Sequence, residues 1–237
     1  MRFGAIDAVL FDMDETLIYH TRSFKDIARE SYERYAAELK PVTFDEYWTT
    51  LWDKATDMWF MMIDGVLEGE DARRYTFINT LRALDADPEL GPRLIERADT
   101  CMLESTHVMD DAIAVMSRMR EAGLRLGIVT NGYSCIQRMK IDHHKLHSHV
   151  DFAIVSEEVG AHKPEPAIFD AAIAQAACSP ERILFVGDTL ENDFIGARNA
   201  GLEAVLIDHD ATRADSPIEE ERYIRKLTEL LPMLGLA

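Results

Sequence analysis

The sequence predicts an α/β fold, with a parallel sheet covered by helices on both faces and interrupted early by an all-helical insertion. Three observations carry this expectation. From Asp110 onward, short apolar runs alternate with segments of helical spacing, which is the rhythm of strand–helix–strand units. The apolar runs, such as Ile183-Leu184-Phe185-Val186, are continuous rather than alternating with polar residues, as in strands buried on both faces. Between Ser23 and Ser105, by contrast, every pattern is helical.

Taken in order, residues 5–11 read as a buried strand ending in Ala8-Val9-Leu10-Phe11. The insertion then shows four helical stretches, 23–39, 43–63, 71–84 and 88–104, separated by Pro41, Gly65, Gly69, Pro88 and Gly91. After residue 110 the expectation is helix 112–122, strand 124–129, helix 133–141, strand 152–155, helix 166–177, strand 182–186, helix 191–200, strand 204–207 and a last helix 217–231. The domain reading is therefore a sheet-bearing core from residues 1–18 and 110–237, with a helical inserted domain from 19–109. Right-handed crossovers put the loops that follow parallel strands on one edge of the sheet, and ligands of open α/β sheets bind there.

The 237 residues carry 43 acidic and 25 basic side chains, a formal charge of −18. That balance argues against nucleic acid or an anionic membrane as partner. It does not exclude a phosphate ligand, because salt damps exposed charges beyond roughly 8 Å and a buried cation can dominate locally. Cys101, Cys135 and Cys178 are odd in number and form no Cys-x-x-Cys pair, so neither a disulfide framework nor a zinc site is indicated. No apolar run approaches the roughly 18 residues of a membrane span, and Met1-Arg2-Phe3-Gly4 leads into a strand rather than a signal-peptide core. The expectation is a cytoplasmic protein, monomer or homodimer, acting on a small molecule.

Polar residues follow three of the apolar strands directly: Asp12 and Asp14 after Phe11, Thr130-Asn131-Gly132 after Val129, and Gly187-Asp188-Thr189 after Val186. A fourth segment, His162-Lys163-Pro164, precedes a helix. Asp-x-Asp also begins calcium loops, but there the sixth position would be Leu17 where Gly is needed and the twelfth Ser23 where Glu is needed. Two carboxylates two residues apart at a strand tip suggest instead a nucleophile and a proton carrier.

These residues resemble the four signatures of the haloacid dehalogenase superfamily of hydrolases. They stand as Asp12/Asp14/Thr16, Thr130, Lys163 and Gly187-Asp188-Thr189-Leu190-Glu191-Asn192-Asp193, in that order, over residues 5–207. The departure is Glu15, where many members have Gly or Asp. The resemblance implies a Rossmann-like three-layer core, a bound magnesium ion and an aspartyl-phosphate intermediate. In that scheme Asp12 attacks phosphorus. Asp14, held protonated, supplies the leaving group with its proton and then takes one from water. Magnesium is expected between the side chains of Asp12 and Asp188 and the carbonyl of Asp14. Phosphoryl oxygens are expected on Lys163, the Thr130 hydroxyl and the backbone N–H groups of Met13, Asp14 and Asn131. Thr16 is expected to position Asp14, and Asp193 to support Lys163 or metal-bound water.

Asp14 favours phosphatase over dehalogenase chemistry, since a halide leaves without a proton. A phosphomutase or phosphotransferase would use the same residues, and a non-catalytic phosphate binder is the third reading. The early insertion resembles the small helical cap type, which closes over a small metabolite and sets specificity. The stretches 130–132, 156–160 and 163–166 look like nucleotide 5′-phosphatases and acylneuraminate phosphatases. Two further clusters read as structural. Trp48, Trp52 and Trp59 share a helical face and suggest a packed seam rather than a base-stacking surface, with a dimer surface as the third reading. His143, His144, His147 and His149 read as a solvated connection rather than a second metal site.

Overall fold

In the computed structural model, residues 3–209 and 222–236 are described. The chain divides into two compact units, one of Met1–Tyr19, His107–Gly132 and Ile136–Ala237, the other of His20–Thr106 and Tyr133–Cys135.

The first unit is built on a six-stranded sheet: β1 (Ala8–Phe11), β4 (Arg125–Thr130), β5 (Phe152–Val155), β6 (Ile183–Gly187), β7 (Glu203–Ile207) and β8 (Tyr223–Ile224). Their spatial order is β5-β4-β1-β6-β7-β8, every pair parallel. The chain runs outward from β1 through β4 to β5, then returns to the other side of β1 as β6. That reversal is the switch point where such sheets open a ligand crevice at their carboxyl ends.

Consecutive β1 side chains serve opposite faces, which is why the strand has no polar position. Val9 and Phe11 pack into one core with Ile128, Val186 and Met116, while Ala8 and Leu10 join Val129, Phe169 and Phe185 in the other. Helices α5 (Ala112–Glu121), α6 (Ser134–His143), α7 (Ser156–Val159), α8 (Pro166–Ala176) and α9 (Gly196–Asn199) belong to these crossovers, and α10 (Leu230–Leu234) follows β8. The short strands β2 (Ile18–His20) and β3 (Thr106–Val108) pair with each other.

The second unit contains α1 (Phe24–Arg34), α2 (Phe44–Ile63), α3 (Gly69–Ala83) and α4 (Gly91–Ser105). Ser23 and Thr43 open the first two with reciprocal capping boxes to Asp26 and Glu46. Its core gathers Ile27, Tyr47, Leu51, Phe77, Leu81 and Leu94.

Three expectations change. Trp52 is 53% exposed, so the α2 seam is formed by Tyr47, Leu51, Met58 and Met62, whereas Trp48 and Trp52 make edge and tilted ring contacts with Phe24. The helix expected over 191–200 begins as a π-helical turn, Leu190–Ile195, before α9. The helix expected over 217–231 starts outside the described residues, and within them gives β8, a 3₁₀ turn at Leu227–Glu229 and α10. Among the described residues no helix is long and apolar enough to cross a membrane.

Candidate active site

Strand register brings the sequence motifs to one edge. Phe11 is level with Ile128 on one side and Val186 on the other, so Asp12, Val129 and Gly187 form the next row and Thr130 and Asp188 emerge beside Asp12. The Asp12 amide donates to Val186 O at 2.8 Å, which carries the pairing past the end of β1 and fixes where the carboxylate starts.

Lys163 reaches this row from the segment before α8. Its Nζ lies 2.7 Å from Asp12 Oδ1 and 2.7 Å from Asp193 Oδ1. Asn131 holds the lysine's backbone at both ends, since Asn131 Nδ2 donates to Lys163 O at 3.0 Å and Lys163 N donates to Asn131 Oδ1 at 2.8 Å. The Asn131 side chain is therefore already engaged. What it can offer a ligand is its backbone N–H.

Asp193 is buried and anchored from its own turn, where Thr189 N donates to Oδ2 at 3.0 Å. A glycine at 187 makes room for it: a Cβ there would fall 2.4 Å from Asp193 Cγ.

Three carboxylates crowd one ammonium. Oxygens of Asp12, Asp188 and Asp193 all lie within 4.8 Å of one another. Burial raises the Asp12 carboxyl well above the usual carboxylate range, with Lys163 opposing and Asp193 and Asp14 adding repulsion. Burial and then Asp193 push Asp188 up to about 6. Burial alone would lower Lys163, but Asp12 and Asp193 outweigh it and raise the lysine. Three carboxyl groups thus share a single ammonium, and the donors gathered there are all oxygens. That is the donor set of a hard divalent cation.

Asp14 is held differently from the expectation. Lys140 Nζ lies 2.7 Å from its Oδ1 and Gln137 Nε2 lies 2.9 Å from its Oδ2. Two N–H donors, one of them an ammonium, meet the two oxygens and fix the orientation of this carboxyl group. Gln137 Nε2 also lies 2.6 Å from Thr130 Oγ1 and 3.1 Å from Asn131 O. Thr16, expected to position Asp14, has a buried hydroxyl with no hydrogen-bond partner among the described residues. Its backbone N–H instead closes a turn onto Met13 O at 3.4 Å.

Glu15 adopts φ 55°, the left-handed region that costs an ordinary L-residue roughly 1–2 kcal/mol.

The sequence did not single out Gln137 or Lys140. With Ile141 they are the buried residues of α6, polar side chains at i and i+3 whose burial only the fold reveals. Among the described residues, Asp12, Asp188 and Asp193 are the only His/Cys/Asp/Glu group with ligand atoms gathered at metal-binding distance, and the 143–149 histidines do not form another.

The parallel sheet thus gathers carboxylates at its switch point beside a buried lysine and a strand-end threonine. The chain belongs to the haloacid dehalogenase-like hydrolase family, whose model matches residues 6–201. It is 30% identical to pyrimidine 5′-nucleotidase YjjG of Escherichia coli strain K12, over 96% of this chain and 97% of that protein. It is 31% identical to a glyceraldehyde 3-phosphate phosphatase of Methanopyrus kandleri, over 85% and 84%. A solved HAD phosphatase of Thermococcus onnurineus superposes with a TM-score of 0.65 at 27% identity, covering 97% of this chain and 98% of that one.

Proposed function

We propose that the protein is a magnesium-dependent phosphatase that hydrolyses a small phosphate monoester through an aspartyl phosphate on Asp12. The observation that carries this reading is the buried Asp12–Lys163–Asp193 line, with Asp188 beside it and an ion-paired Asp14 two residues on. Relatives named for a pyrimidine nucleotide and for a triose phosphate support a phosphate monoester and leave its organic part open.

The oxygen-only donor set fits magnesium, with the side chains of Asp12 and Asp188 and the carbonyl of Asp14 as its holders. When bound, the ion screens the negative phosphoryl group from the Asp12 carboxylate and draws charge from a phosphoryl oxygen.

In the first half of the reaction an Asp12 oxygen attacks phosphorus as the bond to the leaving oxygen breaks. Asp14 gives that oxygen a proton. In the second half water attacks the acyl phosphate, Asp14 takes the water's proton, and inorganic phosphate leaves Asp12 as a free carboxylate. An ionised Asp14 is the form suited to this second half. Lys163, the Thr130 hydroxyl and the backbone N–H groups of Met13, Asp14 and Asn131 supply positive charge and donors for the phosphoryl oxygens.

A halide needs no proton, so Asp14 and the donors arranged around it favour phosphoryl over carbon–halogen chemistry. A phosphomutase would use the same first half and pass the phosphoryl group to a sugar hydroxyl instead of water. A mere phosphate binder would need neither carboxylate. The helical unit is proposed to act as the cap over the substrate, with the core and cap divided at residues 18/19 and 109/110, and the protein to work in the cytoplasm. The test is release of inorganic phosphate from a panel of phosphorylated nucleosides, sugars and trioses with magnesium present. Turnover of at least one supports the reading, and isomerisation without release would favour the mutase.

A further inference from the structure

We propose that Gln137 and Lys140 are positioning residues for this reaction, a two-point clamp on α6 that fixes the Asp14 carboxylate and the Thr130 hydroxyl against each other. The inference rests on the phosphatase reading above and assigns work to two side chains outside the four family signatures.

The geometry is specific. Gln137 and Lys140 are 2% and 6% exposed, although glutamine and lysine are residue types rarely buried without a task. Both point from one face of α6 to the same carboxylate, Lys140 to Oδ1 at 2.7 Å and Gln137 to Oδ2 at 2.9 Å. Asp14 is thus held at both oxygens by a helix that begins only four residues after Thr130.

The orientation of the Gln137 amide follows from its neighbours. Its Nε2 faces Asp14 Oδ2, Thr130 Oγ1 and the Asn131 carbonyl at 2.9, 2.6 and 3.1 Å. The opposite flip would set the amide oxygen against a carboxylate and a carbonyl. An amide nitrogen only donates, so Thr130 Oγ1 must accept here, which leaves the hydroxyl's own proton to be donated elsewhere. A phosphoryl oxygen requires a donor of that polarity. Two N–H groups also serve three acceptors, so a ligand that draws on Thr130 alters the share left for Asp14. Gln137 therefore links phosphoryl binding to the placement of the proton carrier.

The variants Gln137→Met and Lys140→Met keep length and volume while removing the donors. Each is compared with wild type on an alkyl phosphate and on an aryl phosphate with a good leaving group, and the phosphoenzyme present at steady state is trapped by acid quench. With Asp14 loosened but not removed, kcat/KM for the alkyl phosphate should fall about 10- to 100-fold, a part of the roughly 10²–10⁴-fold that a positioned proton carrier contributes. The aryl phosphate should lose less than about threefold in Lys140→Met, because its leaving group needs little protonation, and trapped phosphoenzyme should increase as water attack slows. Inhibition by inorganic phosphate separates the pair: it should weaken in Gln137→Met, which frees Thr130, and stay unchanged in Lys140→Met. Should either Met variant not fold, Lys140→Gln and Gln137→Leu serve in the same assay.

Equal losses on both substrates without extra phosphoenzyme would mark a merely structural role and overturn the inference. So would kinetics like those of an active wild type, leaving the phosphatase reading intact. A wild type that releases phosphate from nothing in the panel would overturn both.

Discussion

Lys163 Nζ lies 2.7 Å from Asp12 Oδ1, and both side chains are buried at the carboxyl edge of the sheet although 151 residues separate them. The lysine arrives from another crossover and is pinned there by Asn131 and Asp193. The carboxylate proposed as nucleophile, placed by strand register, and a cation placed by a loop are thus held in one geometry before any substrate enters. Such preorganisation is what a developing charge responds to.

Removing the lysine alone should cost stability as well as activity. Lys163→Met leaves Asp12 and Asp193 facing each other in a buried site, and breaking a buried pair from one side costs about 3–5 kcal/mol. Urea unfolding of the metal-free protein measures this, and Lys163→Met combined with Asp193→Asn should recover part of the loss. A cost below about 1 kcal/mol, the level of a surface pair, would mean that the lysine is not held as the structure has it.

Gly187→Ala tests the same anchor from beneath. The new Cβ would need the space 2.4 Å from Asp193 Cγ, so Asp193 must shift and release Lys163. Turnover should drop at least tenfold while the fold survives, the order of loss that displaced catalytic groups produce. An alanine variant with wild-type turnover would show that Asp193 does not set the position of the lysine.

The pH dependence of stability should reveal the carboxylate cluster. The Asp188 carboxyl is raised to about 6 in the fold, above its unfolded value of about 3.9, so the folded state binds more protons in that interval. Its contribution is fully present below about pH 4 and is lost as pH rises through about 6. The metal-free protein should therefore lose melting temperature from this group as pH is raised between about 4 and 6. Magnesium requires ionised ligands, so the rise in melting temperature that it produces should grow over the same interval. A magnesium effect that shrinks as pH rises would contradict the assignment of Asp188 as a ligand.

The helical insertion can be removed cleanly if it is a separate cap. Its two ends already meet, with Thr21 N donating to Ser105 O at 2.8 Å, so a few linker residues can replace 22–104. The shortened protein should keep a cooperative melt and its turnover of a generic aryl phosphate, while its ranking of natural phosphate esters flattens. An unchanged ranking would place specificity in the core.

How much of this was written in the sequence differs from element to element. The strands of the sheet's centre are legible because burial on both faces requires unbroken apolar runs, and the motif residues are legible because each follows such a run. β2, β3 and β8 span two or three residues, too few for a period to declare itself. Trp52 read as core because helical spacing gives a face without saying whether another element covers it. The clamp on Asp14 was missed for a related reason: Gln137 and Lys140 look like solvated residues of an ordinary helix until the fold shows that their face is the buried one.

The central claim is that Asp12 is the nucleophile and Asp14 the proton carrier, and acid-quench mapping of the labelled phosphoenzyme tests it most directly. With an aryl phosphate carrying labelled phosphorus, wild type should yield an acyl phosphate at Asp12. Asp12→Asn should yield none, with turnover reduced by several orders of magnitude. Asp14→Asn keeps the backbone carbonyl and leaves Asp12 free to attack, so it should still become labelled at Asp12 and hold the label longer, because no base remains for the water. Label on Asp14, or rapid turnover by Asp12→Asn without any label, would contradict the account.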